Sequence, residues 1–480
     1  MQAAKPAARG GDGGREEACA RSLCGWGRIA PSRALVRRPS APEDVVSALS
    51  RGRSDGARVI ARGAGRCYGD AAQNGGGEVL DMTGLSEIGA IDGERSSVTV
   101  QAGVSLAALM SRLARDGLTL PVLPGTRHVT VGGAIASDIH GKSHHRDGSF
   151  GAHVSSIVLC VPGGELLRVS HESERETFEA TLGGMGLTGV IVEATLAVEP
   201  LQSPWVAADT DKTDDIDQTL ELLSGRESSR WSVAWLDLLA GGARMGRAVV
   251  SRADPWPWSP GGASERADGM HGHGPDRSPG GLKVSERPTV QVPHGIPSGA
   301  LSPAFVRAFN AARWRRAPRR ERGRRLGLAG YLFPLDALGS WSRLYGPRGL
   351  VQYQLVVPAG QEGELVRCVE LLRARRLPVY LAVLKRFGAF EAGPLSFPIE
   401  GFTLAIDLPG GAAGLRHALD ELDEIVAACG GRVYLTKDVR LRKDVLPVMY
   451  PRLDHFRAVR ARVDPDGMLR SDLAVRLGLC

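Results

Sequence analysis

Between about Arg58 and Pro200 the chain alternates short β-branched and apolar runs with glycine-rich turns. The runs "VLDMT", "SSVTVQAG", "SSIVLCV" and "GVIVEATLAV" predict strands, with Asp92-Gly93 and Pro162-Gly163-Gly164 as turns between them. One helix interrupts the series. In "SLAALMSRLARDG", Leu106, Leu109, Met110 and Leu113 recur at helical spacing, Ser105 stands as N-cap and Gly117 closes the C-terminal end.

A second pattern begins at Val351. Here "QYQLVV" predicts a strand, "GELVRCVELLRAR" a helix, "VYLAVLKRFG" and "FTLAIDLP" strands, "LRHALDELDEIVAAC" a helix and "RVYLTKD" a strand. That order implies a split βαβ sheet with helices on one face, leaving the other face free to cover a ligand. Between the two patterns, residues 253–300 shift to Pro, Gly, Ser, His and Arg, which predicts a mobile loop inside a domain. His271 and His273 fall in that tract and are assigned no site, and no metal site is expected elsewhere.

A chain of 480 residues exceeds the size at which one core keeps growing, so two domains are expected. Residues 1–22 are small, charged and glycine-rich and read as a disordered tail without the apolar core of a secretory signal. The longest apolar runs are too short to cross a bilayer as a helix. Seven cysteines, odd in number and without a CxxC pair, argue against a disulfide framework or a zinc site and fit a reducing cytoplasm. The net charge is +7, carried almost wholly by arginine, for only seven residues are lysine. The densest run, "RWRRAPRRERGRR" from Arg313 to Arg325, reads as a solvated basic segment ahead of a nucleic-acid or anionic-membrane contact. With 5% aromatic residues there are few platforms for stacking bases, and no nucleic-acid partner is expected.

The candidate chemistry starts at "ARGAGRCYGDAAQNGGG", Ala61 to Gly77, which holds six glycines. It is not a dinucleotide fingerprint: Tyr68 stands where the third glycine belongs, and "DAAQNGGG" cannot open a helix. Nor is "HGKS" at His140 to Ser143 the end of a P-loop, because Ala136 occupies the required glycine position. What survives is a pair of loops, Arg62 to Asp70 and "PGTRHVTVGGAIASDIHGKSHH" from Pro124 to His145. Each can turn several backbone N–H groups toward one point, as suits a diphosphate cofactor.

These two loops, with "GSFG" and "GGMGLTG" downstream, resemble the flavin-binding half of the vanillyl-alcohol-oxidase (PCMH-type) flavoproteins, in particular the branch that oxidises polyprenylphosphoryl ribose. The similarity runs from "GWGR" at Gly25 to "VDPDGMLRSDLAVRLGL" at the C-terminus. It implies an α+β fold: an FAD-binding domain of two α/β subdomains from residues 23–204 and 432–480, with an inserted antiparallel-sheet substrate domain at 205–431. It further implies that Arg62, Gly63, Ala64, Gly65, Arg66, Cys67, Tyr68, Gly69, Asp70 and Ala71 hold the pyrophosphate together with Thr130, Val131, Gly132 and Gly133. Gly125 and Ile191 would lie near the adenosine half and Tyr434 by the flavin. Asn74, Thr126, Ser137, His140, Gly141, Lys142 and His145 complete the implied cofactor set. Many relatives attach FAD through a histidine in the first loop. Arg66 and Cys67 stand there in this chain, so non-covalent FAD is expected.

The chemistry implied by the resemblance is alcohol oxidation, in which a hydroxyl loses its proton while the carbon's hydride passes to flavin N5. Lys437 in "YLTKD" matches the active-site lysine; it could balance charge at the flavin, take the proton if desolvation lowers its pKa, or merely pair with Asp438. His140 in "DIHGK" could shuttle protons or fix its loop by a hydrogen bond. Lys385, Gln354 and Thr403 match substrate-side positions, with Tyr68, Gln352 and Trp235 lining the pocket. Ala405 stands where relatives carry a reactive cysteine, so covalent trapping there is impossible, and Thr403 replaces their asparagine.

The implied function is FAD-dependent oxidation of the 2-hydroxyl of a polyprenylphosphoryl ribose to the 2-keto product, in arabinose-donor synthesis for a cell wall. Its partners would be a reductase subunit and, peripherally, the inner face of the plasma membrane. Two alternatives stay open: a sugar, alditol or aldonolactone oxidase on the same scaffold, and an anion- or RNA-binding module built on the arginine run.

Overall fold

The computed structural model describes residues 18–225, 229–257, 288–297 and 301–480. His271, His273 and most of the 253–300 insertion lie outside them, as do residues 1–17 of the expected tail.

The first layer is a four-stranded sheet in the order Cys19–Leu23, Ser32–Arg37, Glu78–Asp81, Val59–Arg62, whose last three strands run parallel. The tail expected through residue 22 is therefore too long. Residues 19–23 pair antiparallel with 32–36. That edge strand is held by main-chain hydrogen bonds and its side chains are mostly exposed, so no hydrophobic alternation announces it. Helix Pro42–Asp55 makes the crossover. Pro42 presets its first turn, and the Asp44 carboxylate accepts from the amides of Ser40 and Ala41 at 2.9 and 3.0 Å. Val45 and Leu49 on its inner face are buried with Val59, Leu80 and Met82, each such side chain contributing about 1.5–3 kcal/mol.

The C-terminal segment returns to this layer. Asp464 accepts from the amides of Met468 and Leu469 and from Arg460, Leu469 forms a parallel bridge with Val59, and Met468 enters the same core cluster.

The predicted strands of the second layer form one antiparallel sheet, in the order Ile88–Asp92, Ser97–Gln101, Val190–Ala197, Val154–Cys160, Leu166–Ser170. Helix Leu106–Arg115 stands where the periodicity places it, with Ser105 Oγ accepting from the Ala108 amide at 3.1 Å.

The third layer is an eight-stranded antiparallel sheet. Its second half is the expected βαββαβ unit: strands Leu350–Pro358, Leu381–Phe387, Gly401–Pro409 and Arg432–Val433, with helices Glu362–Ala374 and Leu415–Ala428. "RVYLTKD" is a strand only at its first two residues. Tyr434 still donates to the Gln354 carbonyl, but the Thr436 carbonyl then accepts from Tyr68, so the chain leaves the sheet for the first glycine loop. An apolar pattern cannot show that change of partner.

The sheet's first half repeats the same plan. Strands Trp205–Thr213, Trp231–Leu236, Ala248–Pro255 and Arg320–Gly327, with helices Ile216–Ser224 and Pro303–Arg316, give a second βαββαβ unit. The two units join edge to edge through Ala234 opposite Leu384 and Trp235 opposite Val383. In the sequence this repeat is hidden, because residues 256–302 separate its third strand from its second helix.

Side-chain alternation gives the sheet two unlike faces. Leu404, Ile406 and Leu408 share a core with Leu365, Leu372, Leu419 and Leu422 of the covering helices. Thr403, Ala405 and Asp407 therefore stand on the opposite face, toward the cofactor half.

Candidate active site

A narrow cleft runs between the first two layers. Gly63, Cys67, Ala71 and Ala72 line it from the first loop, Thr130, Gly132, Gly133 and Ser137 from the second, Met185, Gly186 and Gly189 from "GGMGLTG", and Ile191 from the strand that follows. Almost every lining side chain is small, so backbone forms much of the wall. Gly63 is required for this packing: a Cβ there would lie 2.1 Å from Thr130 Oγ1. The amides of Ala64, Gly65, Arg66 and Cys67 form no hydrogen bond among the described residues. Clustered free N–H groups beside a small-residue cleft suit the oxygens of a pyrophosphate, and the first loop thus fits FAD.

The second loop works differently from the sequence-based expectation. Val131 and Gly132 donate to the carbonyls of Val104 and Ala102 at 2.9 and 2.8 Å, and Gly133 is bonded to Thr130 Oγ1 at 3.3 Å. These residues open helix Val131–Ala136, so at Val131 to Gly133 the loop supplies surface to the cleft while the amides serve the fold. Other residues of the implied cofactor set also serve the chain itself. Asn74 Nδ2 donates to the carbonyls of Arg58 and Glu78, His145 Nε2 bonds to the Ser229 carbonyl at 2.9 Å, and Thr126 Oγ1 accepts from the His128 amide. The Lys142 ammonium donates to the Tyr331 carbonyl, and burial pulls its pKa down to about 7. Gly141 lies tight against the Leu123 carbonyl, whereas Gly125 faces open space.

Three contacts fix the first loop. Arg62 donates to the carbonyls of Cys24 and Ala72 at 2.8 and 3.0 Å, and the Arg66 guanidinium covers the Trp26 ring at 4.0 Å. Asp70 takes a two-point bond from Arg476 at 2.9 and 3.1 Å. Arg476 also reaches Asp438 at 2.7 Å. Gly69 sits so close to the Asp438 carbonyl that a Cβ would come within 1.9 Å. The lysine turn is thus clamped onto the first loop, and among the described residues Asp438 pairs with Arg476, so the alternative of a Lys437–Asp438 pair is not realised.

The sheet face above the cleft is a grid. One row holds Leu381, Asp407 and Gln352, the next Trp235, Val383, Ala405 and Gln354, the third Lys385, Thr403 and Val356. All five substrate-side residues that the sequence singles out on these strands stand on this one face. Gln354 Nε2 donates to His140 Nε2 and to Thr403 Oγ1, both at 2.9 Å. That leaves the imidazole proton on Nδ1. His140 packs among Phe387, Phe397 and Tyr434 at 4.8–5.6 Å between ring centres. Tyr434 in turn donates to the Ser137 carbonyl at 2.7 Å. Among the described residues His140 Nδ1, Gln352 Oε1 and Gln354 Oε1 are buried and lack a hydrogen-bond partner. Unpaired polar atoms of that kind belong where a polar ligand completes them.

Asp407 is the group that sequence reasoning missed. It is 1% exposed, accepts from Gln352 Nε2 at 2.5 Å and from the Tyr345 hydroxyl at 3.4 Å. Burial pushes its carboxyl upward. The alternation Thr403, Ala405, Asp407 already places it on the same face, and was the available signal. Lys437 approaches the Tyr68 and Tyr434 rings at 5.6 and 6.0 Å. Burial lowers its pKa, and the Asp407 charge opposes that shift. Lys385 is lowered to about 7 by burial and by the neighbouring Lys437. The His140 imidazole is held well below its usual range by burial and by both lysines, so it is neutral near pH 7. Tyr68 lies beside Gln352; burial and the Asp407 charge push its hydroxyl pKa well up.

A small-residue cleft with free loop amides, closed by a polar sheet face that carries Lys385 and is flanked by the Lys437 turn, both lysines with lowered pKa, defines an FAD-dependent oxidoreductase. Family models agree with this: an FAD binding domain matches residues 33–170, and D-arabinono-1,4-lactone oxidase matches residues 414–477. The decaprenylphosphoryl-beta-D-ribose oxidase of Mycolicibacterium smegmatis is 41% identical over 461 residues, covering 95% of this chain and 97% of that protein. The L-gulono-1,4-lactone dehydrogenase of Mycobacterium tuberculosis is 27% identical over 457 residues, 93% and 96% of the two chains. The chain belongs to the family of the Mycolicibacterium oxidase.

Proposed function

We propose that this enzyme oxidises the 2-hydroxyl of a polyprenylphosphoryl ribose to the ketone, using FAD bound without a covalent link. The observation that carries the reading is the sheet face: Gln352, Gln354, Asp407 and Lys385 meet there, with glutamine oxygens unpaired, and Lys437 stands on the adjoining turn within reach of the Asp407 charge. Bound FAD supplies the hydride acceptor. The glutamine carbonyls accept from sugar hydroxyls and orient the ring. Lys385 suits the phosphate, being a partly buried amine with no anionic partner among the described residues, whose charged form a bound phosphate would favour. Lys437, its pKa lowered by burial, takes the proton of the reacting hydroxyl, and Asp407 sets how readily it does so. The neutral His140 holds Gln354 and so acts as a positioning residue.

The product ketone still needs reduction if the sugar is to be epimerised, which calls for a reductase partner. The lipid tail places the enzyme peripherally at a membrane, and none of the described helices is long and apolar enough to span one. A second reading, oxidation of a free aldonolactone or alditol, has behind it the lactone-oxidase match at residues 414–477. The arginine run carries little of the binding-module reading, since Arg322 pairs with Asp209 and Asp211, and Arg325 stacks on Trp205.

Anaerobic addition of prenylphosphoryl ribose to the purified yellow protein tests the proposal. Bleaching of the flavin band is expected; bleaching by free lactones or alditols alone would overturn it in favour of the second reading.

A further inference from the structure

Helix Pro303–Arg316 is held at the rim of the sheet face from both ends. Just before it, the Leu301 carbonyl accepts from the Tyr380 hydroxyl at 2.6 Å, and the Tyr380 ring lies 5.7 Å from Tyr345, the partner of Asp407. Toward its C-terminus Asn310 bonds to Asp237 at 3.2 Å, Trp314 Nε1 donates to the Thr213 carbonyl at 3.0 Å, and Arg313 lies over the Trp235 ring at 4.9 Å. Val306 and Asn310 form its buried side.

The outward side is unusual. Phe305 and Phe309, one turn apart, are 57% and 53% exposed, and Ala312 and Arg316 continue the same stripe at i+7 and i+11. A pair of half-exposed phenylalanines on one helix face marks an interaction surface. The helix contains no acidic residue. Arg307, Arg315 and Arg316 are exposed and form no ion pair among the described residues, and the exposed Arg319 and Arg320 follow directly. Phe305 and Phe309 thus form a local apolar patch flanked by exposed arginines, a pairing of apolar insertion and positive charge that suits contact with an anionic bilayer surface.

We propose that helix Pro303–Arg316 docks on an anionic membrane, with Phe305 and Phe309 in the acyl boundary and the arginines at the headgroup phosphates. The inference rests on the lipid-linked substrate proposed above: docking there brings the rim at Tyr380 and Trp235 to the surface where such a substrate is embedded, so the sugar phosphate enters without the lipid leaving the bilayer.

The test is co-sedimentation of the FAD-loaded full chain with phosphatidylglycerol/phosphatidylcholine vesicles and with pure phosphatidylcholine vesicles. The wild type should sediment with the anionic vesicles, less so at high salt. F305S/F309S should weaken binding by about tenfold or more, while R315Q/R316Q should flatten the salt dependence. Both variants should keep their flavin and oxidise a short-chain, water-soluble prenylphosphoryl ribose with unchanged kcat and KM. Failure of the wild type to bind, or unaltered binding by F305S/F309S, overturns the docking helix, as would loss of self-association in F305S/F309S without loss of vesicle binding. Vesicle binding by a protein that oxidises no prenylphosphoryl ribose would remove the substrate reading and leave the docking surface standing; turnover without vesicle binding would do the reverse.

Discussion

Gln354 and His140 lie 214 positions apart and meet at 2.9 Å, Nε2 to Nε2, in a buried contact. The bond joins the substrate sheet to the second cofactor loop, alongside the Ser232 amide on the Lys142 carbonyl and the Tyr434 hydroxyl on the Ser137 carbonyl, and it is the one that reaches the imidazole. Gln354→Leu keeps the volume but leaves His140 Nε2 and Thr403 Oγ1 without that donor. We predict a stability loss of about 1–3 kcal/mol and at least about a tenfold fall in kcat/KM, from misplacement by a fraction of an ångström, with FAD content retained. Thermal unfolding and steady-state kinetics check this; unchanged kinetics would show that the contact is structural only.

Lys437 and Asp407 control each other's protonation. If the neutral Lys437 amine takes the proton, kcat rises with pH through a pKa that burial has lowered from the usual lysine value. The Asp407 carboxylate favours the ammonium, so Asp407→Asn lowers the lysine pKa further and moves the rising limb to lower pH. Lys437→Ala should keep the flavin and abolish its reduction by substrate. A limb that stays in place in Asp407→Asn, measured by rapid-mixing reduction across pH, would uncouple the pair.

The periodic elements were legible in the sequence because their burial is one-sided. The 105–117 helix and the βαββαβ order after Val351 follow from apolar spacing alone. Three features were not. The edge strand at Cys19–Leu23 is held by main-chain bonds, the second βαββαβ unit is split by residues 256–302, and "RVYLTKD" leaves its sheet because Thr436 bonds to Tyr68. Of the site, the glycine loop could be picked out by composition, whereas Lys437 and Lys385 stood out only through the family resemblance. Asp407 could have been, from its alternation with Thr403, but an acidic residue in "AIDLP" resembles an ordinary strand end. That the Val131 and Gly132 amides of the second loop are already engaged depends on partners at Val104 and Ala102, which only the folded chain reveals.

Contact between Gly63 and Thr130 predicts a specific cofactor defect. Gly63→Ala puts a methyl group 2.1 Å from Thr130 Oγ1 and forces the two loops apart. FAD affinity should fall by about fivefold to a hundredfold, as overpacking of about 1–3 kcal/mol would give. Thr130→Ala removes the clashing oxygen and should restore part of the affinity in the double variant, less about 1 kcal/mol for the lost cap of helix Val131–Ala136. Flavin fluorescence on titration measures both, and additive losses in the double variant would contradict the proposed clash.

Arg476 ties the first loop to the lysine turn by holding Asp70 and Asp438 together. The guanidinium is about one quarter exposed, with Asp438 nearly buried, so breaking the cluster should cost somewhat less than the 3–5 kcal/mol of a fully buried pair, about 2–3 kcal/mol. Arg476→Leu leaves two carboxylates facing each other near Gly69 and Lys437. The repulsion should loosen both the free amides of Ala64 to Cys67 and the lysine turn, so FAD dissociates faster and substrate reduces the remaining flavin more slowly. Arg476→Lys keeps the charge but not the fork, and should recover stability more than flavin retention, because only the guanidinium spans both carboxylates at once. Flavin release after dilution, followed by fluorescence, separates the two variants; equal release rates for the leucine variant and the wild type would mean that this arginine steadies its own helix, Asp472–Leu477, alone.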